Sequence, residues 1–137
     1  MNDNCEFVER FLAAFWDSRW DELMGYLAED ALYVDPLLPA PIQGKRAIRD
    51  VLAYCHEWGS YRGEIRNVFG SGPYVTAELR ITGHVKKPPE GMSDAVVGKE
   101  FDFMEADVFE FDADGRIARE TIYADALTLM RQLGEPF

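Results

Sequence analysis

The stretch KEFDFMEADVFEF, Lys99 to Phe111, decides how the chain is read. A strand sends alternate side chains to opposite faces of its sheet. With that period Phe101, Phe103, Glu105, Asp107, Phe109 and Phe111 share one face, and Asp102, Met104, Ala106, Val108 and Glu110 share the other. Four phenylalanines need more cover than Asp102 and Glu110 do, so the phenylalanine face is expected to turn inward and take both acids with it. Periodicity alone leaves two other arrangements open: an edge strand with its acids in solvent, or burial of the Met104, Ala106 and Val108 face. Residues two apart on a strand lie roughly 7 Å apart. In apolar surroundings, like charges at that range resist ionising together. At least one of Glu105 and Asp107 is then expected to be protonated near neutral pH, and a neutral carboxylic acid can donate a hydrogen bond to a developing oxyanion.

Outward from this strand, YRGEIRNVFG and YVTAELRITGHV read as two earlier strands joined by the turn residues Gly70 to Pro73. In the second of them Val75, Ala77, Leu79 and Ile81 are expected inside, which leaves Glu78 and Arg80 on the outer face; a slip of one residue would exchange the faces. DADG, Asp112 to Gly115, turns the chain into RIARETIYAD, and ALTLMRQLG closes as a short helix with Asp125 as its cap. Towards the N-terminus, Phe7, Val8, Phe11, Leu12, Phe15 and Trp16 recur at helical spacing. That helix should end near Asp17, with Ser18 capping a second one through Trp20, Leu23, Met24 and Leu27. ALYVDP is a short strand, PLLPAPIQG a loop, and KRAIRDVLAYCHEW a third helix. Helices first and antiparallel strands after make an α+β fold, one domain over residues 1–137 with the sheet curving over the helices.

Composition narrows the function. A chain 47% apolar and 13% aromatic can fill one core without metals or disulfides. Fourteen Lys and Arg against 25 Asp and Glu, a net charge of −11, oppose nucleic acid or an anionic membrane surface as a partner. Cys5 and Cys55 lie without metal-ligand spacing, and MNDNCEFVER has no basic stretch leading into an apolar run, which reads as a reduced, cytoplasmic protein. With only His56 and His84 there is no basis for a histidine metal centre or a Ser-His-Asp relay, and no Gly-rich phosphate loop is present, so no cofactor is expected. His56 is read as interacting with carbonyls at a helix end.

The order of elements and the segment ALYVDPLLPAPIQGKRAI resemble the nuclear transport factor 2-like superfamily, especially its ketosteroid isomerase and SnoaL-like cyclase branches, over nearly the whole chain. The resemblance implies a cone of curved sheet and three helices around an apolar pocket. It also implies a strand bearing an Asp-Pro pair, here Asp35-Pro36, with Gly44 and Ile48 following. By the isomerase pattern Asp35 would be the catalytic base, and Asp107, in Asp107-Val108-Phe109-Glu110-Phe111, the acid that holds the oxyanion.

The pattern is also broken. The family's tyrosine donor falls on Phe11, and the tyrosine supporting it on Leu52, so Tyr33 and Glu105 are the candidate substitutes. Phe11, Phe15, Leu52, Phe103 and Phe109 are expected to wall the pocket. The same segment resembles the limonene epoxide hydrolases through Tyr33 and Asp35. Their Arg-x-Asp motif, however, meets Glu78-Leu79-Arg80 and their remaining aspartate meets Ile122, so that constellation is not carried over. Together these point to a cofactor-free acid/base enzyme acting on a small, largely apolar carbonyl-containing substrate. The alternative is a non-catalytic binding protein for a small hydrophobic ligand, and an epoxide hydrolase or a bare dimerisation domain ranks lower. The resemblance further implies a homodimer through the outer sheet face.

Overall fold

The computed structural model of the protein describes residues 3–135. The helical spacing at the start of the chain forms α1 (Asp3–Trp16), which buries Val8, Phe11, Leu12 and Ala14. After a turn in which Ser18 adopts a left-handed φ of 57° comes α2 (Trp20–Tyr26). The expected Ser18 cap is not made: Arg19 holds the N-cap position and no side chain caps the helix. A residue with that φ has already turned the chain, so its hydroxyl is one position too early to reach the free amides.

There follow β1 (Leu27–Val34), β2 (Ile42–Gln43), α3 (Lys45–Trp58), β3 (Gly59–Ser71), β4 (Tyr74–Val85), β5 (Glu100–Phe111), β6 (Ile117–Ala124) and α4 (Ala126–Leu133). The six strands form one sheet in the order β2-β1-β6-β5-β4-β3. It is α+β and curved as expected, but mixed rather than wholly antiparallel, because β1 runs parallel to β6. The chain leaves β1, crosses by α3 to the far edge and returns strand by strand, which brings β6 back beside β1 in the same direction. Part of the expected proline-rich loop also joins the sheet, with Ile42 and Gln43 pairing with Tyr33 and Leu32.

The inner face is set as the alternation predicts. Phe101, Phe103, Phe109 and Phe111 are buried, as are Val75, Ala77, Leu79 and Ile81. On the outer face Arg80 pairs with Asp102 at 2.6 Å. Two glycines allow close approach on the inner side. A Cβ at Gly63 would lie 2.0 Å from the Trp16 ring of α1, and one at Gly83 would lie 1.8 Å from the Ser60 carbonyl oxygen. At the C-terminal end Asp125 caps α4 by accepting from the Thr128 N–H at 3.1 Å and its hydroxyl at 2.7 Å. Gln132 then ties α4 to β5 by exchanging two 2.8 Å hydrogen bonds with the Asp102 main chain. Helices α1, α3 and α4 thus roof the concave face and leave a hollow beneath it.

Candidate active site

The register of three strands gathers the acids. Glu105 and Asp107 stand two apart on the inner row of β5. Across β6, Asp107 faces Ile122 and Phe109 faces Glu120, so the Glu120 carboxyl lies diagonally beside Asp107. Glu120 in turn is the parallel partner of Tyr33 on β1. Glu105 and Glu120 lie close enough to Asp107 for their charges to bear on it, so the three acids crowd one apolar place. Asp107 is 3% exposed and Glu120 5%. One oxygen of each, Asp107 Oδ1 and Glu120 Oε1, has no hydrogen-bond partner.

That setting disfavours charge. Burial, then the Glu105 charge, raises Asp107 well above the ordinary carboxylate range. Burial, then Glu105, pushes Glu120 up to about 8, and burial raises Glu105 as well. Asp35 sits in a different environment at the end of β1. Its Oδ2 accepts from the Tyr33 hydroxyl at 3.0 Å and its Oδ1 from the Leu37 N–H at 2.8 Å, a turn that Pro36 between them helps to fix. Burial, then the neighbouring Asp35 charge, raises Tyr33, which therefore stays a hydrogen-bond donor.

Both sets of acids open on one cavity of about 830 Å³, walled largely by apolar and aromatic side chains. Asp35, Tyr33, Glu105, Asp107, Phe11, Phe15, Leu52 and Phe103 all line it. Phe109 does not. It is fully buried and stands edge-on to Phe11 at 5.6 Å, behind the wall, because α1 lays the Phe11 ring across that end of the inner row. The rim includes Leu37, Pro39 and the segment Pro89–Met92, where the Glu90 N–H donates to the Tyr54 hydroxyl at 2.8 Å.

Among the lining residues that the sequence reading did not single out are Glu120, Tyr61 and Cys55. Beyond a bulge in β6, Glu120 shares its parity only with Ile122 and Ala124, and that short row was the available signal. Burial pushes the Cys55 thiol up to about 12, which leaves it unreactive near neutrality. His56 donates from Nε2 to the Phe15 carbonyl at 2.8 Å, so it links α3 to the last turn of α1 rather than capping its own helix, and burial lowers its pKa. Among the described residues no cluster of His, Cys, Asp and Glu is arranged to hold a metal ion, and no helix is long and apolar enough to cross a membrane.

A SnoaL-like domain model matches residues 8–120. No curated protein matches the sequence. Among solved structures, a protein assigned as a polyketide cyclase from Xanthomonas campestris pv. campestris is 24% identical, covers 95% of this chain and 96% of its own, and superposes with a TM-score of 0.81. A protein of ketosteroid isomerase-like fold from Catenulispora acidiphila, in complex with trimethylamine, is 23% identical with 96% and 94% covered and a TM-score of 0.78. An epoxide hydrolase of the limonene type from M. tuberculosis is 22% identical with 95% and 88% covered and a TM-score of 0.75. At these identities the likeness establishes a shared nuclear transport factor 2-like fold.

Proposed function

The chain belongs to the SnoaL-like domain family, and from that premise we propose that it is a general acid/base enzyme acting on a small, largely apolar carbonyl-containing substrate, by isomerase- or cyclase-type proton transfer. One observation carries the reading: acids of opposite surroundings, Asp35 held by two donors and Asp107 buried where charge is disfavoured, open on the same apolar cavity. Asp35 takes a proton from the carbon next to the carbonyl, and the electron pair of the broken C–H bond moves onto the carbonyl oxygen. Neutral Asp107, with Glu105 beside it, donates a hydrogen bond to that oxygen as it gains charge. Tyr33 acts as a positioning residue that orients the Asp35 carboxyl. The proton then returns at another carbon, or the enolate attacks a second carbonyl and closes a ring.

The test is deuterium uptake by 2-tetralone in D2O, followed by NMR. Asp35→Asn is expected to slow the protein-catalysed uptake by roughly 10²–10⁴-fold. An unchanged rate removes Asp35 as the base.

A second reading, a binding protein without chemistry, draws on Phe11 and Leu52, neither of which can donate to a reacting oxygen. Retention of an apolar ligand through purification, with no uptake of deuterium by any ketone, favours it. Epoxide hydrolysis has less support, since Arg80 is engaged on the outer face and no Arg or Lys is among the described residues of the cavity wall. We infer a homodimer through the outer sheet face, where Tyr123 is 63%, Phe69 60%, Tyr74 50% and Met104 40% exposed. A reducing, cytoplasmic setting agrees with the Cys55 thiol.

A further inference from the structure

Tyr61 enters the cavity wall from β3, two strands from the acid row of β5. Three rings hold it: Trp58 at 5.2 Å, Phe101 at 5.3 Å and His56 at 6.1 Å. Glycines make its place. A Cβ at Gly59 would lie 2.8 Å from the Tyr61 ring, and Gly83 is its cross-strand partner on β4. The ring is therefore held in place at the cavity wall.

The cavity's other tyrosine hydroxyls are engaged, Tyr33 with Asp35 and Tyr54 with the Glu90 amide. The Tyr61 hydroxyl makes no hydrogen bond with any described residue, although it lies within the electrostatic reach of Cys55, Glu105 and Asp35. A phenol donor enclosed by aromatic rings and left without a protein acceptor is well suited to an acceptor that arrives with a ligand. Burial keeps that hydroxyl protonated.

We infer that Tyr61 is a substrate-binding residue, whose hydroxyl donates to a carbonyl or phenolic oxygen held between it and the Glu105–Asp107 pair. The inference rests on the acid/base reading of the same cavity and adds a second donor from β3, in a site where Phe11 supplies none. It also narrows the ligand to an apolar, ring-sized skeleton that presents one acceptor oxygen towards the sheet.

The experiment compares two fluorescent probes, 2-naphthol and its oxygen-free isostere 2-methylnaphthalene, and reads the ratio of their affinities for each protein. Tyr61→Phe keeps the ring and removes only the oxygen. The ratio is expected to fall about tenfold in this variant, the size of one buried hydrogen bond, while 2-methylnaphthalene binds as before. Asp107→Leu should lower the ratio as well. A ratio unchanged in Tyr61→Phe but lowered in Asp107→Leu overturns the role of Tyr61 and leaves the acid/base reading standing. Equal weakening of both probes by Tyr61→Phe marks a packing role only and overturns the inference. A ratio unchanged in both variants overturns the use of the acids as donors too, and a wild-type protein that binds neither probe removes the ligand site itself.

Discussion

Replacing Glu120 with glutamine should flatten the dependence of stability on pH. In the unfolded chain this carboxyl ionises near its ordinary value of 4.5; in the folded protein it does so only at about 8. Between those values the unfolded chain has released a proton that the folded protein retains, so stability falls as pH rises. The cost is complete above the folded value and absent below the unfolded one. At about 1.4 kcal/mol per unit, the interval from 4.5 to about 8 corresponds to a loss on the order of 5 kcal/mol. Little is to be discounted for screening, because Glu120 is only 5% exposed. Glutamine keeps the shape and never ionises. It also relieves Asp107, which Glu120 helps to raise. In urea unfolding followed by tryptophan fluorescence, Glu120→Gln should match the wild type to within about 1 kcal/mol at the acid end and exceed it by several at the alkaline end. Two parallel profiles would refute the picture of a buried, protonated acid cluster.

Other expectations test the frame and the assembly. Gly83→Ala drives a Cβ to 1.8 Å from the Ser60 carbonyl and 2.8 Å from the Phe101 ring. It should lower stability by about 1–3 kcal/mol in the same urea experiment. Gly25→Ala, on the exposed side of α2 with nothing within 4 Å of its Cβ, should raise it by about 0.5–1 kcal/mol. The pair Met104→Lys and Tyr123→Lys should convert a dimer to a monomer in sedimentation velocity while leaving deuterium uptake intact, and a wild-type protein that sediments as a monomer removes the proposed interface.

What could be read in advance follows from how local the signal is. Period-two alternation in β4 and β5 assigned the inner face correctly because both strands pair without interruption along that stretch. Asp35 was singled out by the family resemblance of the Asp35-Pro36 pair, whose turn geometry three neighbouring residues determine. Glu120 was hidden because β6 carries a bulge: Glu110 faces Arg119 but Phe111 faces Ile117, so Ile117 and Glu120 both turn inward and no clean alternation marks the strand. The parallel β1–β6 pair depends on where a distant strand returns, which no local pattern encodes. Phe109 was assigned to the correct face, but whether a buried ring lines a hollow or backs it depends on the helix laid over it.

Buried acids weaken a fold, and this one keeps three together in its sheet. A structural role would be served as well by leucine or glutamine, which fill similar space without the desolvation penalty. Natural sequences sit close to the stability they need, so a persistent cost of this size calls for a compensating use at the same place. The use has to be one that a neutral, hydrogen-bonding acid performs and an apolar side chain does not. An oxygen that gains negative charge inside an apolar cavity is such a partner, since the low dielectric that suppresses ionisation of Asp107 also strengthens each hydrogen bond it donates. The separation of roles then follows from the strands alone. Asp35 leaves β1 into a turn that feeds it donors, while Asp107 stays within the β5 ladder beneath the helices. In the proposed reaction one sheet thereby supplies both an acceptor of protons and a donor of hydrogen bonds to a single hollow.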